Sequence, residues 1–78
     1  MKQWKMETNE EQVTRNIKAC RTRHNFTQEE LAKKMNVTKN TYINIENNPF
    51  SYDINKLNEV ALAIECNIDE FFMPIQFT

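Results

Sequence analysis

The stretch that decides the fold is residues 27–48, TQEELAKKMNVTKNTYINIENN. Thr27 is followed three positions later by Glu30, which is the spacing of a capping box at the N-terminus of a helix. Apolar side chains then recur at helical spacing up to Asn36, and Thr38 supplies a second N-cap residue. The stretch therefore predicts a helix of about two turns, a turn of roughly three or four residues and a second helix.

The turn at Asn36 has to form without glycine, because the whole chain contains none. Asparagine is one of the few other residues that tolerate a positive φ. We therefore predict a left-handed backbone at Asn36, and also at Asn25, which ends the helix before the stretch.

The segment before the stretch predicts one long helix. It begins near Thr8 or Asn9, where Thr8 and Glu11 have the spacing of a capping box, and it ends near residues 23–25. Its predicted buried stripe consists of Val13, Ile17 and Cys20.

The segment after the stretch predicts two further helices. The helix at 39–46 stops before Pro49, because a proline disfavours helical geometry at the residue that precedes it. Asp53 caps a fourth helix, and a capping box at Asn67 starts a fifth, very short helix that Pro74 ends. The apolar positions of the fourth helix are Ile54, Leu57, Val60, Ala61 and Ile64.

The two ends of the chain show a different pattern. Trp4-Lys5-Met6 and Ile75-Gln76-Phe77 alternate apolar and polar residues, which is typical of short strands. We expect an N-terminal arm at 1–9, a helical domain at 10–73 and a C-terminal tail at 74–78, with the two end strands paired. The start of the chain lacks the apolar core of a signal peptide, and no apolar run is long enough to span a membrane. The expected location is the cytoplasm, with no membrane partner.

The charge distribution is polarised along the chain. The 78 residues carry a net charge of −1, which by itself argues against a non-specific binder of nucleic acid. Residues 13–47, however, hold seven basic and three acidic side chains, whereas residues 48–78 hold one basic and five acidic ones. That asymmetry suits a protein that meets DNA with one face.

The residues that carry metal or catalytic chemistry are few. Cys20 and Cys66 are expected to be reduced, largely buried side chains, and His24 is the only histidine and is expected at a helix C-terminus. Neither a metal site nor a cofactor site is predicted. Catalysis is not expected either, because there is no glycine-rich phosphate loop and Ser51 has no evident base.

Four segments together resemble the Cro/C1-type helix-turn-helix family (lambda repressor-like, XRE family). They occur in the family's order and spacing: IKACR, FTQEELAKKMNVTKNTYINIEN, LNEVALAI and NIDEFF. The resemblance implies an all-α, compact five-helix bundle that binds double-stranded DNA sequence-specifically as a transcription regulator. Such a regulator is commonly a homodimer, and repression is the commoner outcome. The family's usual glycines correspond here to Asn36, Asn48 and Glu65, of which Glu65 tolerates a left-handed backbone least.

The helix at 39–46 has one face available for DNA. At about 100° per residue, Tyr42 and Ile45 fall on one side, where they are the natural core contacts. The opposite side and its flank hold the predicted base-reading residues Lys39, Asn40, Ile43 and Asn44. Asparagine pairs with adenine and lysine with guanine in the major groove. Two interpretations of Ile43 stay open, a contact with a thymine methyl group or an ordinary exposed apolar residue.

Phosphate contacts are implied by the resemblance at Thr27, Gln28, Thr38 and Asn47. The first three lie at helix N-termini, where free N–H groups and the helix dipole attract phosphates. Gln28 is also a candidate brace for the following helix. A solvated surface and a phosphate contact are both open for Arg15, Arg23, Lys33 and Lys34.

The resemblance further implies a structural ion pair between Arg21 and Glu46. The apolar residues near the chain ends exceed what so small a core needs, which suggests a dimer interface. Its predicted residues are Phe71, Phe72, Ile75, Phe77 and Trp4. Three contexts for the chain stay open: a stand-alone repressor, an antitoxin that represses its own operon and holds a toxin protein, and a protein-interaction module that has lost DNA binding.

Overall fold

Four α-helices and two short 3-10 helices make up the part of the chain that the structure describes, residues 9–73 of a computed structural model. In chain order they are α1 (Glu10–Arg23), α2 (Gln28–Lys34), α3 (Lys39–Asn47), a 3-10 helix (Pro49–Ser51), α4 (Ile54–Ile64) and a second 3-10 helix (Ile68–Phe72). This part of the chain is all-helical and has no strand. The strands predicted at Trp4 and Phe77 lie outside it. The fifth predicted helix is present, but as a 3-10 helix and not as an α-helix.

The helix starts are capped by side chains close in sequence. Asn9 is the N-cap of α1, and its side chain accepts hydrogen bonds from the backbone N–H groups of Glu11 and Gln12. Thr27 and Glu30 form the predicted capping box of α2, and Asn67 begins the one at the second 3-10 helix. Thr38 and Asp53 cap α3 and α4 as predicted. Local hydrogen bonding therefore sets where the four α-helices and the second 3-10 helix begin.

Three residues other than glycine take a left-handed backbone. Asn25 and Asn36 have φ of 64° and 59°, as predicted, and Glu65 at the end of α4 has φ of 73°. Asn48, which corresponds to another usual glycine of the family, is not left-handed, because its φ is −132°. Pro49 begins a 3-10 helix directly after Asn48, so the chain leaves α3 through a residue that is neither helical nor left-handed.

Glu65 is the costliest of these residues, because asparagine tolerates a left-handed backbone better than glutamate does. That backbone costs an ordinary residue with a Cβ about 1–2 kcal/mol. We expect Glu65→Gly to be more stable than Glu65→Ala by about 1 kcal/mol, because both lose the side chain and only Ala keeps the Cβ. Chemical denaturation of the two variants measures this difference. Equal stabilities would contradict the strained geometry at the end of α4.

The core lies where α1, α3 and α4 meet the second 3-10 helix. Its largest fully buried side chains include Tyr42 on α3, Ile17 on α1 and Phe71. Ile54 departs from the expected pattern: it is 57% exposed, and α4 buries Ala63 instead, together with Leu57, Val60, Ala61 and Ile64. Ile54 is the first residue of α4, and at this end of the helix its side chain is not covered by the core.

Both cysteines are free thiols on the inner side of this packing. Cys20 is buried and Cys66 is partly buried. Burial raises the pKa of Cys20 from its ordinary value of 9.0 to about 12, and it raises the pKa of Cys66 as well. Both side chains are therefore neutral thiols near pH 7 and belong to the packing.

Polar contacts hold the second 3-10 helix against α1. The Asn16 side chain donates hydrogen bonds to the backbone oxygens of Phe71 and Met73, each at 2.9 Å. Arg23 pairs with Glu70 at 2.6 Å. These contacts join residues 70–73 to α1, and α2 and α3 take no part in them. Within residues 9–73 no helix is both long enough and apolar enough to cross a membrane.

Candidate nucleic-acid interface

The two faces of α3 lie in different environments. Tyr42 and Ile45 are buried in the core, as predicted. The opposite side is exposed at Lys39, Asn40 and Asn44, whereas Ile43 is only half-buried. The helix therefore presents a row of amide and ammonium groups to solvent, while its inner face holds it in place.

Glu46 is the main polar anchor of α3, and its side chain is fully buried. Arg21 Nε donates to Glu46 Oε2 at 2.8 Å, and Tyr42 Oη donates to the same oxygen at 2.7 Å. Gln28 Nε2 donates to Glu46 Oε1 at 2.9 Å. The carboxylate thus ties α1, α2 and α3 together. Burial, followed by the charge of Glu46, raises the pKa of Tyr42, so the hydroxyl stays protonated and donates.

The hydroxyl of Tyr42 is a partner of Glu46 that was not predicted from the sequence, because helical periodicity places Tyr42 in the core without giving its hydroxyl a partner. The signal was present, since Tyr42 and Glu46 are four residues apart on one helix. Gln28 braces α3, so its NH2 group is occupied by Glu46, and its side chain is partly buried. Arg21 also donates to the backbone oxygen of Phe26 at 3.1 Å, which fixes the turn between α1 and α2.

A surface cleft of about 560 Å³ lies beside the start of α3. Thr27 and Gln28 line it from α2 and Lys39 lines it from α3, with Asn25 and Arg21 at its α1 side. Two of the predicted phosphate-binding residues and one predicted base reader are therefore neighbours.

The other two predicted phosphate-binding residues lie at opposite ends of α3. Thr38 caps the helix, and its hydroxyl accepts from the Thr41 N–H at 3.1 Å and donates to the Thr41 hydroxyl at 2.9 Å. Asn47 is the exposed last residue of the helix. At 1.5 Å per residue the two positions are roughly 13 Å apart along the axis.

The basic residues divide into paired and unpaired groups. Lys34 is engaged by the end of α4, because its Nζ donates to the Ala63 carbonyl and to Glu65, and it lies 4.4 Å from the centre of the Phe26 ring. Arg23 pairs with Glu70, and Arg15 lies 3.6 Å from Glu11. Among residues 9–73, the lysines without an ion-pair partner are Lys18, Lys33 and Lys39.

Comparison with known families decides the identity of this arrangement. A family model described as Helix-turn-helix matches residues 17–71, which include α2, the turn and α3. The chain belongs to the Cro/C1-type helix-turn-helix (XRE) family. No curated protein and no solved structure matches the chain. The second helix of the motif is α3.

The helix-turn-helix motif carries a further polar cluster that the sequence analysis missed. Asn44 Nδ2 donates to the Tyr52 hydroxyl at 2.6 Å, and Asn48 Nδ2 donates to Asn44 Oδ1 at 2.9 Å. Asn48 is the C-cap residue of α3 and lies four residues after Asn44, a spacing that favours their contact. No sequence signal points to Tyr52, which approaches through the 3-10 turn after α3.

The predicted dimer residues of this helix-turn-helix domain occupy different positions. Phe71 is fully buried in the monomer core, so its side chain is not available at a surface. Phe72 is partly buried against the core, and its neighbour Met73 is 45% exposed. Trp4, Ile75 and Phe77 lie outside the described residues.

Proposed function

We propose that this chain is a sequence-specific, double-stranded DNA-binding transcriptional regulator, a cytoplasmic repressor that acts as a homodimer and not as an enzyme. The observation that carries the proposal is the division of α3 into a locked inner face and an exposed polar face. Tyr42, Ile45 and Glu46 hold the helix, while Lys39 and Asn40 extend into solvent. A rigid helix with exposed amide and ammonium groups suits the major groove of an operator.

Base reading is assigned to Lys39, Asn40, Ile43 and Asn44. Lysine donates to the O6 and N7 acceptors of guanine, and asparagine pairs with both N6 and N7 of adenine. Ile43 keeps part of its surface exposed beside them. An apolar group at that position favours a thymine methyl over a polar base edge.

Phosphate contacts are assigned to Thr27, Gln28, Thr38 and Asn47. The shared cleft places Thr27 and Gln28 beside Lys39, a lysine without an ion-pair partner among residues 9–73. The first N–H groups of α3 and its dipole add a favourable site for an anion. For Gln28 the partner groups left for a phosphate are limited, since its Nε2 already donates to Glu46.

Dimerisation is proposed because one recognition helix reads only a few base pairs, so that useful affinity needs two half-sites about one DNA turn apart. The proposed interface combines Phe72 at the end of the second 3-10 helix with Trp4, Ile75 and Phe77. In this division residues 10–73 form the DNA-binding domain, and the arm at 1–9 and the tail at 74–78 complete the interface. Phe71 supports it from the core.

Binding to duplex DNA is expected to weaken steeply as salt rises, because each neutralised phosphate releases a counterion. If six or more phosphates are contacted, affinity falls by roughly 10³-fold or more between 50 and 200 mM salt. An electrophoretic shift assay with the DNA upstream of the protein's own gene measures this, with a scrambled duplex as control. Absence of binding to both duplexes at low salt would favour the protein-interaction module. Binding of a protein encoded by a neighbouring gene of the same operon would favour the antitoxin.

The dimer is expected to appear in sedimentation equilibrium at high micromolar protein concentration. Phe72→Asp should shift the equilibrium towards monomer, because a carboxylate cannot be buried there without a partner. Leu62→Asp is the matched control, since Leu62 is 68% exposed on α4 and outside the proposed interface. A wild-type monomer at the highest concentration contradicts the dimer.

A further inference from the structure

The exposed face of α3 contains one side chain whose orientation is determined by its neighbours. Asn44 Nδ2 donates to Tyr52 Oη at 2.6 Å, and Asn44 Oδ1 accepts from Asn48 Nδ2 at 2.9 Å. The same Asn48 Nδ2 also approaches the Asn44 backbone oxygen at 3.3 Å. The ring of Tyr52 is partly buried and packs against the core, so the hydroxyl is held in place.

Only one assignment of donors and acceptors satisfies the hydrogen bonds of this cluster. A backbone oxygen can only accept, so Asn48 must present its NH2 group to the Asn44 carbonyl. The atom of the Asn44 side chain facing that NH2 group must then be its oxygen. The Asn44 NH2 group is left facing Tyr52, whose hydroxyl accepts from it. A flipped Asn44 amide would set two NH2 groups against each other.

We propose that Tyr52 and Asn48 are positioning residues that fix the amide of Asn44 for base reading, an inference that rests on the DNA-binding function proposed above. An amide has two N–H donors and two acceptor lone pairs. Tyr52 uses one donor and Asn48 uses one lone pair, which leaves one donor and one acceptor for a base.

An amide held in one orientation distinguishes A·T from T·A as well as adenine from other bases. Adenine offers an N7 acceptor next to an N6 donor, and exchanging A·T for T·A reverses their order along the groove. An amide that rotates freely can adapt to either order, whereas one held by Tyr52 and Asn48 matches only one. The cluster therefore determines specificity at one base pair of each half-site and contributes little to sequence-independent binding.

The test begins with selection of duplexes by the wild-type protein from a library with a randomised central segment. Every single-base-pair variant of the selected duplex is then titrated with wild type, Asn44→Ala, Tyr52→Phe and Asn48→Ala. Asn44→Ala is expected to lose roughly 5- to 150-fold discrimination at one base pair of the half-site. Tyr52→Phe and Asn48→Ala are each expected to lose roughly 2- to 12-fold at that same base pair and nowhere else.

Ser51→Ala is the matched control, because it removes an exposed neighbouring hydroxyl outside the cluster. Full discrimination by Tyr52→Phe at the position lost in Asn44→Ala would overturn the positioning role while leaving the DNA-binding function intact. Uniform weakening on all duplexes with a shallower salt dependence would also overturn it, since that result marks a phosphate contact. If the wild type selects no sequence, the proposed function itself fails.

Discussion

Replacing Glu46 by alanine is expected to remove most of the stability of the domain. The side chain of Glu46 is 0% exposed and that of Arg21 is only 16% exposed. The substitution therefore leaves a nearly buried guanidinium without its partner. Removing one partner of a buried ion pair costs about 3–5 kcal/mol. Small single cores rarely supply more than about 3–5 kcal/mol of net stability. Thermal unfolding followed by circular dichroism should therefore show a melting temperature at least roughly 12 °C lower.

The large effect follows from how many groups depend on one carboxylate. Tyr42 and Gln28 also donate to Glu46, so the alanine variant leaves three donors unsatisfied in or near the core. A double variant, Arg21→Met with Glu46→Met, should be less destabilised than Glu46→Ala, because it strands no charge and refills the volume.

Glu59→Ala is the matched control for Glu46→Ala. Glu59 pairs with Lys56 at 3.2 Å, but their side chains are 54% and 35% exposed, and such surface pairs contribute about 0–1 kcal/mol. The same melting temperature for the two alanine variants would show that Glu46 is not the anchor of α3.

The features predicted correctly from sequence are those decided within a few residues. A capping box such as Thr27–Glu30 needs only side chains three positions apart and backbone N–H groups between them. The left-handed residues Asn25 and Asn36 are equally local, because they follow directly from where a helix must end without glycine. For the same reason the buried face of α3 followed from its periodicity.

The errors arose where a neighbour or a distant element decides. Pro49 restricts the backbone conformation of Asn48. The family's usual glycine at this position does not reveal that restriction. The exposure of Ile54 depends on how α4 is rotated against the core, which helical periodicity alone does not define at a first turn. For Lys34 the sequence left solvent and phosphate both open, and its contact with the end of α4 involves a residue 29 positions away in sequence.

The candidate interface shows the same division. The helical periodicity of α3 indicated which side chains face outward, but not that Asn44 would already be hydrogen-bonded to Tyr52 and Asn48. That cluster forms because the 3-10 turn starting at Pro49 brings Tyr52 back against α3. Side-chain preorganisation of this kind requires the three-dimensional path of the loop.

Replacing both Asn40 and Asn44 by alanine is expected to remove most of the sequence preference while leaving the fold unchanged. Each bidentate contact between an asparagine and adenine contributes about 1–3 kcal/mol of discrimination. Two such contacts in each half-site of a homodimer amount to at least roughly 10³-fold in affinity for the selected duplex. Both side chains are exposed, so the melting temperature should change little. Fluorescence anisotropy titrations with the selected and a scrambled duplex measure the preference.

The control is the double variant Asn55→Ala with Asn58→Ala, which removes two equally exposed asparagines from α4, outside the helix-turn-helix pair. It should bind the selected duplex like the wild type.

Affinity for the scrambled duplex and its salt dependence should be the same in all three proteins, because phosphate contacts carry that binding and base contacts do not. A loss near 30-fold instead of 10³-fold would indicate that one subunit reads the site alone. An undiminished preference in the Asn40 and Asn44 variant would exclude both asparagines from base reading.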